Sequence, residues 1–229
     1  MPMELREIQH WNDFLSQQQI KVYLASNSPR RKWILQKWGL DFEVIPPRFD
    51  EELFLQHLST IKKQGGIWEV QSAHHKGLIH EICSNLAIQK ALITWEELQQ
   101  TQQKFLVLSA DTLVYYNQYF LTKPQSFEEA YLMLKFLSGK THTVVTSHCI
   151  INHNKMIITK DIMTLVTFRK LSDTDIKEYI ETAEPYDKAG GYAIQGEGAI
   201  LVESIVGDYL NAVGLSLNAV RFLLSEIKL

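Results

Sequence analysis

The sequence lacks any excess of basic residues. Its 229 residues include 23 Lys and Arg against 26 Asp and Glu, for a formal net charge of −3 at pH 7. A general nucleic-acid binder neutralises many phosphates with a broad basic surface, so we expect no nucleic-acid partner. Any basic cluster in this chain must therefore be local.

Cysteines and long apolar runs are also scarce. Cys83 and Cys149 are the two cysteines, and there is no CxxC pair, so we expect reduced thiols and a cytoplasmic location, with one disulfide as the alternative. The first residues, MPMELREIQHWNDF, are too polar for a signal peptide, and no apolar run approaches the ~20 residues of a membrane span. We therefore expect no membrane partner.

The sequence does contain interleaved strand and helix patterns, and its 45% hydrophobic content suffices for a sizeable core. Strands are predicted near residues 21–25, 42–45, 105–116, 141–151, 156–159, 162–168 and 200–203. Helices are predicted near residues 29–38, 84–98, 126–137, 172–181 and from 216 onward. This order predicts an α/β fold with a mixed twisted sheet and flanking helices.

Two segments fall outside this regular pattern. Residues 1–19 are typical of a short helical N-terminal extension. Residues 54–83, which Gly65-Gly66 and three histidines interrupt, are interpreted as an insertion of helix and loop. The domain organisation predicted is therefore the extension followed by one domain, residues 20–229, that carries the insertion.

The segment LASNSPRR, which follows the first predicted strand, suits an anion. Ser28 is placed to cap a helix that begins with proline, and a helix N-terminus presents unpaired N–H groups to a ligand. Ser26 and Ser28 add hydroxyl donors, and Arg30 and Arg31 add guanidinium groups that bind phosphate oxygens in pairs. The alternative is a simple N-cap with solvated arginines, although cations in the first turn oppose the helix dipole unless an anion is present.

Asp111 interrupts the apolar strand FLVLSADTLVYY, where a carboxylate needs a partner. Its candidate roles are a general base for water or a ligand for a hard divalent cation. The alternative is an aspartate that caps the next turn. Glu51, Lys90 and Lys123 are further polar candidates, although each is unremarkable alone.

Several familiar signatures are missing. GYAIQGEG lacks the Lys-Ser/Thr of a phosphate-binding Walker loop, and HEICS has Ser84 where a zinc-protease helix needs its second histidine. A zinc site is conceivable but irregular in spacing, so solvated helix residues are the preferred interpretation. Its candidate ligands are His74, His75, His80 and Cys83.

Taken together, the motifs resemble the Maf family of nucleoside triphosphate pyrophosphatases. The matching segments are LASNSPRR, LAIQKA, SADT, TKP, LSGKTHTVVT, DKAGGYAIQGEGA and VGDYLNAVGL. They occur in family order over most of residues 21–229, and the first, third and sixth are together highly specific. Small departures from the usual family residues occur at Gly191, Ala212 and Ser216, the last of which replaces a usual proline.

The resemblance implies a fold of the Maf/inosine triphosphatase type, with two lobes around a cleft, and a homodimer. It also implies hydrolysis of a nucleoside triphosphate to the monophosphate and pyrophosphate with Mg²⁺ or Mn²⁺. By motif position Asp111 is the proton acceptor, and Glu51 and Asp111 offer oxygens to the metal. The other polar cleft positions are Ser26, Arg31, Lys90 and Lys123, and the positions associated with substrate choice are Arg30, Thr112 and Gln195.

The combination of SPRR with ADT is similar to the branch acting on dTTP and UTP, so the hypothesis is a pyrophosphatase for these and related or modified pyrimidine nucleotides. A 7-methyl-GTP pyrophosphatase is the first alternative, which Arg30 and Thr112 disfavour. A non-catalytic nucleotide-binding regulator of cell division is the second. Asp111, Lys90 and Lys123 favour catalysis over that alternative, because a pure binder needs no base.

Overall fold

The computed structural model describes residues 3–101 and 103–228 and confirms the predicted α/β class. Its strands are β1 (Ile20–Ala25), β2 (Glu43–Val44), β3 (Ile61–Gln64), β4 (Ile67–Val70), β5 (Lys104–Tyr116), β6 (Tyr119–Leu121), β7 (Thr141–Asn152), β8 (Ile157–Phe168) and β9 (Val202–Gly207). Its helices are α1 (Met3–Gln17), α2 (Pro29–Trp38), α3 (Glu51–Gln56), α4 (His75–Leu98), α5 (Phe127–Leu137), α6 (Asp173–Glu181), α7 (Tyr209–Val213) and α8 (Leu217–Glu226). Short 3₁₀ turns occupy Glu184–Asp187, Ala189–Gly191 and Gly196–Leu201.

The sheet forks at β5. Its first half pairs in parallel with β1, up to Ala25 opposite Ser109, and its last residues pair antiparallel with β6, from Val114 onward. β2 continues the first branch, whereas β4 and β3 continue the second. Residues 110–113 lie between the branches and keep their pairing with β7 on the other edge. The opening between the branches is where Asp111 sits.

Alternation along β5 and β7 divides the core into two faces. Phe105 and Val107 pack under α4, together with Ala87, whereas Leu106 and Leu108 belong to the larger cluster on the other face. Helices α1, α2, α5, α6 and α8 cover this larger cluster, and the continuous burial of β5 and β7 follows from helices on both faces. By the same alternation, Asp111 is directed toward α4 and Thr112 toward the opposite face.

The predicted extension folds as α1. Ile8 and Leu15 are buried in the larger cluster, and Asn12 Nδ2 donates to Gly39 O at 2.7 Å. Helix α1 therefore packs on the domain. Met1 and Pro2, at the start of the extension, and Leu229, at the end of the predicted domain, lie outside the described residues.

Residues 54–83 contain the predicted helix and loop, in the end of α3 and the start of α4, but also two strands that were not predicted. These strands form the hairpin β3–β4, in which Ile61 pairs with Val70, and β4 pairs onward with β6. Gly65 and Gly66, with φ of 56° and 80°, form the tight turn, because glycine adopts left-handed backbone without steric cost. Helix α4 also begins at His75, well before the predicted start near residue 84.

Two smaller expectations are also settled. Cys83 and Cys149 are buried free thiols, so the disulfide alternative is wrong. The two β-rich segments predicted at residues 156–159 and 162–168 are one continuous strand, β8. Pairing along the whole of β7 keeps this strand regular through the polar residues at its middle.

Candidate active site

One cavity of about 310 Å³ lies at the fork of the sheet. It brings together residues that are up to 188 positions apart in the chain, from Ser26 to Gly214. All of the predicted site residues line it: Ser26, Ser28, Arg30, Arg31, Glu51, Lys90, Asp111, Thr112, Lys123 and Gln195.

The N-terminus of α2 forms one wall of the cavity. Ser28 is its N-cap and accepts a hydrogen bond from Arg31 N at 3.5 Å, and Pro29 is the first helical residue. Ser26 Oγ in turn accepts from Ser28 N at 3.1 Å. The capping interpretation of Ser28 is therefore confirmed. Because both hydroxyls accept in these bonds, each keeps its own hydrogen to donate to an anion.

The side of the cavity below α4, which we call the ion-pair side, consists of Glu51, Lys90, Asp111 and Lys123. Lys90 Nζ is 2.8 Å from Glu51 Oε1 and also contacts Asp111 Oδ1. Lys123 Nζ lies 3.0 Å from Glu51 Oε1. Lys90 and Asp111 are only 6% and 4% exposed. The buried ammonium of Lys90 thus bridges two carboxylates, whose negative charges compensate its positive charge.

These neighbours shift the pKa values of the two carboxyl groups in opposite directions. Burial is the largest influence on Asp111 and raises its pKa, as does Glu51, while Lys90 and Arg31 oppose the change. Burial also acts to raise the pKa of Glu51, but Lys90 and Lys123 outweigh it and lower the value to about 2. Asp111 is therefore the more basic of the two carboxylates.

The opposite side, which we call the hydroxyl side, consists of Arg31, Thr112 and Gly214, with the fully buried Thr146 behind Thr112. Arg31 Nε donates to Gly214 O at 2.8 Å, and one of its terminal nitrogens donates to Thr112 Oγ1 at 3.0 Å. Burial lowers the pKa of Arg31, with Asp111 and Glu51 acting against that change. Arg31 is thus a buried cation whose contacts are a carbonyl and a hydroxyl.

Arg30 lies at the mouth of the cavity. Its guanidinium donates to Asp187 Oδ2 at 2.9 Å and to Asp187 O at 3.2 Å. Lys188 Nζ contacts the same carboxylate and donates to Glu184 O at 3.0 Å. Sequence reasoning gave Asp187 and Lys188 no role, although both stand in the quoted segment DKAGGYAIQGEGA. No local pattern indicates that this segment meets the start of α2.

The segment of 3₁₀ turns that carries Gln195 closes over the end of β5. Gly190 has a φ of 74°, and a Cβ there would lie 3.0 Å from Val114, so only glycine lets the backbone approach this closely. Glu184 fixes the same segment, because its carboxylate accepts from Tyr179 Oη and from Gly198 N at 2.9 Å. Gln195 is thereby held at the cavity wall.

The candidate zinc ligands do not converge. His80 Nδ1 lies 3.2 Å from Asp161 Oδ2, while Cys83 Sγ donates to Asp111 O at 3.4 Å. Burial raises the pKa of Cys83 to about 12, which keeps it a thiol rather than a metal-binding thiolate. Within residues 3–101 and 103–228, no group of three or more His, Cys, Asp or Glu could hold a metal.

Comparison with known proteins identifies the family. The family described as Maf-like protein matches residues 21–227. The chain belongs to the Maf family. This Maf chain is 38% identical over 208 residues to a dTTP/UTP pyrophosphatase of Caldicellulosiruptor bescii, across 90% of the chain and 94% of that protein. It is 37% identical over 211 residues to a dTTP/UTP pyrophosphatase of Aquifex aeolicus, across 92% of the chain and 97% of that protein.

Structural similarity is more distant. A nucleoside-triphosphatase, or dITP/XTP pyrophosphatase, of Mycobacterium abscessus matches 65% of the Maf chain and 72% of its own, with a TM-score of 0.32 and 12% identity. That likeness is too remote to support a statement about function. In the part of the Maf chain that the structure describes, no helix has both the length and the apolar character needed to cross a membrane.

Proposed function

We propose that this Maf protein hydrolyses dTTP and UTP, and related or modified pyrimidine nucleotides, to the monophosphate and pyrophosphate. The observation that carries the proposal is the cavity itself, in which a buried carboxylate, Asp111, lies among several cations beside a helix N-terminus. The names of its relatives supply the nucleotide, because both are dTTP/UTP pyrophosphatases.

Charge is the main demand of this reaction. A triphosphate carries about four negative charges near neutral pH, and its cleavage depends on positioning and charge stabilisation. Arg30, Arg31 and Lys123 all line the cavity, and the hydroxyls of Ser26 and Ser28 retain hydrogens to donate. These groups can hold the polyphosphate while water attacks the α-phosphorus and pyrophosphate leaves.

Asp111 is the group suited to take a proton from that water. It is buried and has a raised pKa, and Lys90 holds its carboxylate in place. A base with these properties accepts a proton near neutral pH more readily than an ordinary aspartate. Lys90 stays charged in this role, because Asp111 and Glu51 together raise its pKa above the ordinary lysine value against the effect of burial.

Glu51 and Asp111 also suit Mg²⁺ or Mn²⁺. Their oxygens are the donors these ions prefer, and both carboxylates are already directed at one cation, the Lys90 ammonium. With two protein carboxylates, phosphate and water oxygens would complete the coordination shell. When bound, the metal would neutralise phosphate charge and lower the pKa of a bound water.

Substitution of Asp111 tests the catalytic assignment. Asp111→Asn should reduce pyrophosphate release from dTTP by about 1,000-fold, the scale on which a general base contributes. The thermal melt should stay close to that of the parent, because Glu51 still compensates the charge of Lys90. Asp173→Asn is the matched control, because Asp173 lies on α6 and pairs with the exposed Lys135, and it should retain parent activity. Parent activity in Asp111→Asn would refute the role.

A substrate panel separates the proposed function from its alternatives. Canonical and modified triphosphates are assayed with Mg²⁺ or Mn²⁺, and released pyrophosphate is measured. Preference for dTTP and UTP supports the proposal, whereas preference for 7-methyl-GTP supports the first alternative. Nucleotide binding without pyrophosphate release from any triphosphate would favour the regulator. Thr112 and Gln195 line the cavity, and their polar groups could recognise a pyrimidine edge.

We also propose a homodimer in the cytoplasm, with no nucleic-acid partner. Support for the dimer comes from an exposed apolar strip on β8 and β9, where Met163, Leu165 and Val206 are 56%, 44% and 65% exposed. Leu165 and Val206 are directly paired, which makes the strip continuous. Val206→Lys should shift the molecular mass measured by light scattering toward that of a monomer, whereas an unchanged mass would exclude the strip as the interface.

A further inference from the structure

We infer that Thr146 is a positioning residue whose hydroxyl, acting through Thr112, fixes the guanidinium of Arg31. The inference rests on the proposed function, since Arg31 is one of the cations that would hold the triphosphate. Thr146 lies on β7, directly opposite Thr112 on β5, and its side chain is completely buried. Sequence analysis assigned it no role.

The three hydrogen bonds that link Asn211, Thr146, Thr112 and Arg31 each have only one possible direction. Thr146 Oγ1 donates to Asn211 O at 3.1 Å, because a carbonyl oxygen can only accept. The Thr112 hydroxyl, 3.0 Å from Thr146 Oγ1, must then be the donor of that pair. Thr112 Oγ1 can therefore only accept from Arg31, which donates to it at 3.0 Å.

Both anchors of Arg31 lead to the same short element. Its Nε bonds to Gly214 O at the end of α7, while the chain through Thr112 and Thr146 ends on Asn211 O within α7. The guanidinium has five N–H donors, and these contacts use two of them. A planar group fixed at two points presents its remaining donors to the cavity in one orientation.

The same hydrogen bonds limit those that Thr112 can form with a bound nucleotide. Its hydroxyl hydrogen is donated to Thr146 Oγ1, and one lone pair of its oxygen accepts from Arg31. Thr112 can therefore offer a bound ligand an acceptor and no donor. Its hydroxyl holds that orientation as long as Thr146 accepts from it.

The test compares two substitutions of Thr146 in the full-length protein. Thr146→Val keeps the shape and removes the hydroxyl, so kcat/KM for dTTP should fall about tenfold, because a misplaced binding group lowers the rate. Thr146→Ser restores the hydroxyl and should recover most of that loss. Thr94→Val on α4 is the matched control: Thr94 is fully buried, and its Oγ1 has no hydrogen-bond partner among the described residues, so kcat/KM should stay at the parent value.

A double-mutant comparison separates positioning from a purely structural effect. In an Arg31→Lys background the forked guanidinium is gone, so adding Thr146→Val should change kcat/KM by less than about twofold. A further tenfold loss in that background would overturn the inference, as would an unchanged rate in Thr146→Val alone or a failure of Thr146→Ser to recover. A parent protein that does not hydrolyse dTTP would instead refute the proposed function.

Discussion

The two sides of the cavity hold their buried cations in different ways. On the ion-pair side, Lys90 lies between Glu51 and Asp111, so each charge has an opposite charge beside it. On the hydroxyl side, Arg31 is held by Gly214 O and by a chain of hydroxyls, all of them neutral. Both cations are nearly excluded from solvent.

This difference indicates what each side contributes. A buried ion pair is costly to break once formed, because removal of one partner leaves the other charge uncompensated. A buried cation held by dipoles has already lost solvation, and a bound anion can still neutralise it. The ion-pair side is therefore preorganised before substrate binds, whereas the hydroxyl side gains charge compensation when phosphate arrives. Four predictions test the comparison, and they run from the largest expected effect on stability to the smallest.

The largest effect is expected at Lys90. Lys90→Met removes the ammonium that lies between the buried carboxylate of Asp111 and the half-buried carboxylate of Glu51. The free energy of unfolding should fall by about 3–5 kcal/mol. Urea denaturation at pH 7.5 measures it. Lys123→Met is the control, because Lys123 is more exposed and its pair with Glu51 should contribute about 1 kcal/mol or less. Equal losses in the two variants would contradict the role given to burial.

The second prediction concerns pH and His148, which supports the hydroxyl side. His148 Nε2 accepts from Ser216 N at 2.8 Å, and Nδ1 donates to Lys160 O at 3.1 Å, so the ring is neutral. The pKa of His148 is lowered to about 4, chiefly by burial and in smaller part by Arg31. The hydrogen bond to Lys160 O and the charges of Asp161 and Asp208 oppose this change.

The sign of the pH effect follows from these values. Above the unfolded pKa of about 6.5, neither state of His148 binds a proton, and its contribution to stability is complete. Between that value and about pH 4 the unfolded chain takes up a proton that the folded chain does not. Stability should therefore fall by about 2 kcal/mol from this residue between pH 7 and pH 5.

Urea denaturation at pH 7 and pH 5 measures this loss, and His148→Gln is the matched variant. Its amide can accept from Ser216 and donate to Lys160 without titrating, so its loss should be smaller by about the His148 contribution. Glu51, with a pKa of about 2, stays ionised over this range. Identical losses in parent and variant would show that His148 is not the titrating group.

The third prediction sets Arg31 against Lys90. Arg31→Met removes a buried charge that has no ion-pair partner within 4 Å among the described residues, but it leaves the Gly214 carbonyl without its donor. The free energy of unfolding should therefore fall by about 1–2 kcal/mol, less than for Lys90→Met. Release of pyrophosphate should nevertheless be strongly impaired, because one phosphate-binding cation is lost. A loss of stability as large as that of Lys90→Met would remove the distinction between the two sides.

The smallest effect is expected at the mouth of the cavity. Asp187 pairs with Arg30 at 2.9 Å, but its side chain is 56% exposed, and such pairs contribute about 1 kcal/mol or less. Asp187→Asn should leave the thermal melt almost unchanged and should lower the apparent KM for dTTP, because Arg30 and Lys188 would be freed for phosphate. An increase in KM would instead indicate that Asp187 holds Arg30 in its binding position.

Local signals predicted much of the fold and most of the site. Ser28 and Pro29 mark the start of α2, and Gly39 marks its end. Asp111 was a candidate because a carboxylate within an apolar strand requires a partner, and Lys90 is that partner. The remaining cavity residues were predicted from their resemblance to Maf family motifs, because the residues next to them in the sequence do not indicate a site.

The sequence analysis missed features that depend on distant contacts. The hairpin β3–β4 pairs with β6, which lies about 50 residues further along the chain. Gly65-Gly66 indicates a turn, but the residues on either side of it lack a clear strand pattern. Asp187 meets Arg30 across 157 residues. Thr146 looks like any threonine of a buried strand until its register opposite Thr112 is known.

By itself, the amino-acid sequence determined most of the helices and strands, and which side chains could bind phosphate or accept a proton, because caps, periodicity and side-chain chemistry are local properties. The tertiary structure alone decided where these groups meet. Alternation along β5 already places Asp111 and Thr112 on opposite faces. The fork at β5 opens a cavity at these residues, and distant segments bring Lys90 to one of them and Arg31 to the other. These meetings depend on strand pairing between distant segments, which no single segment of the chain encodes.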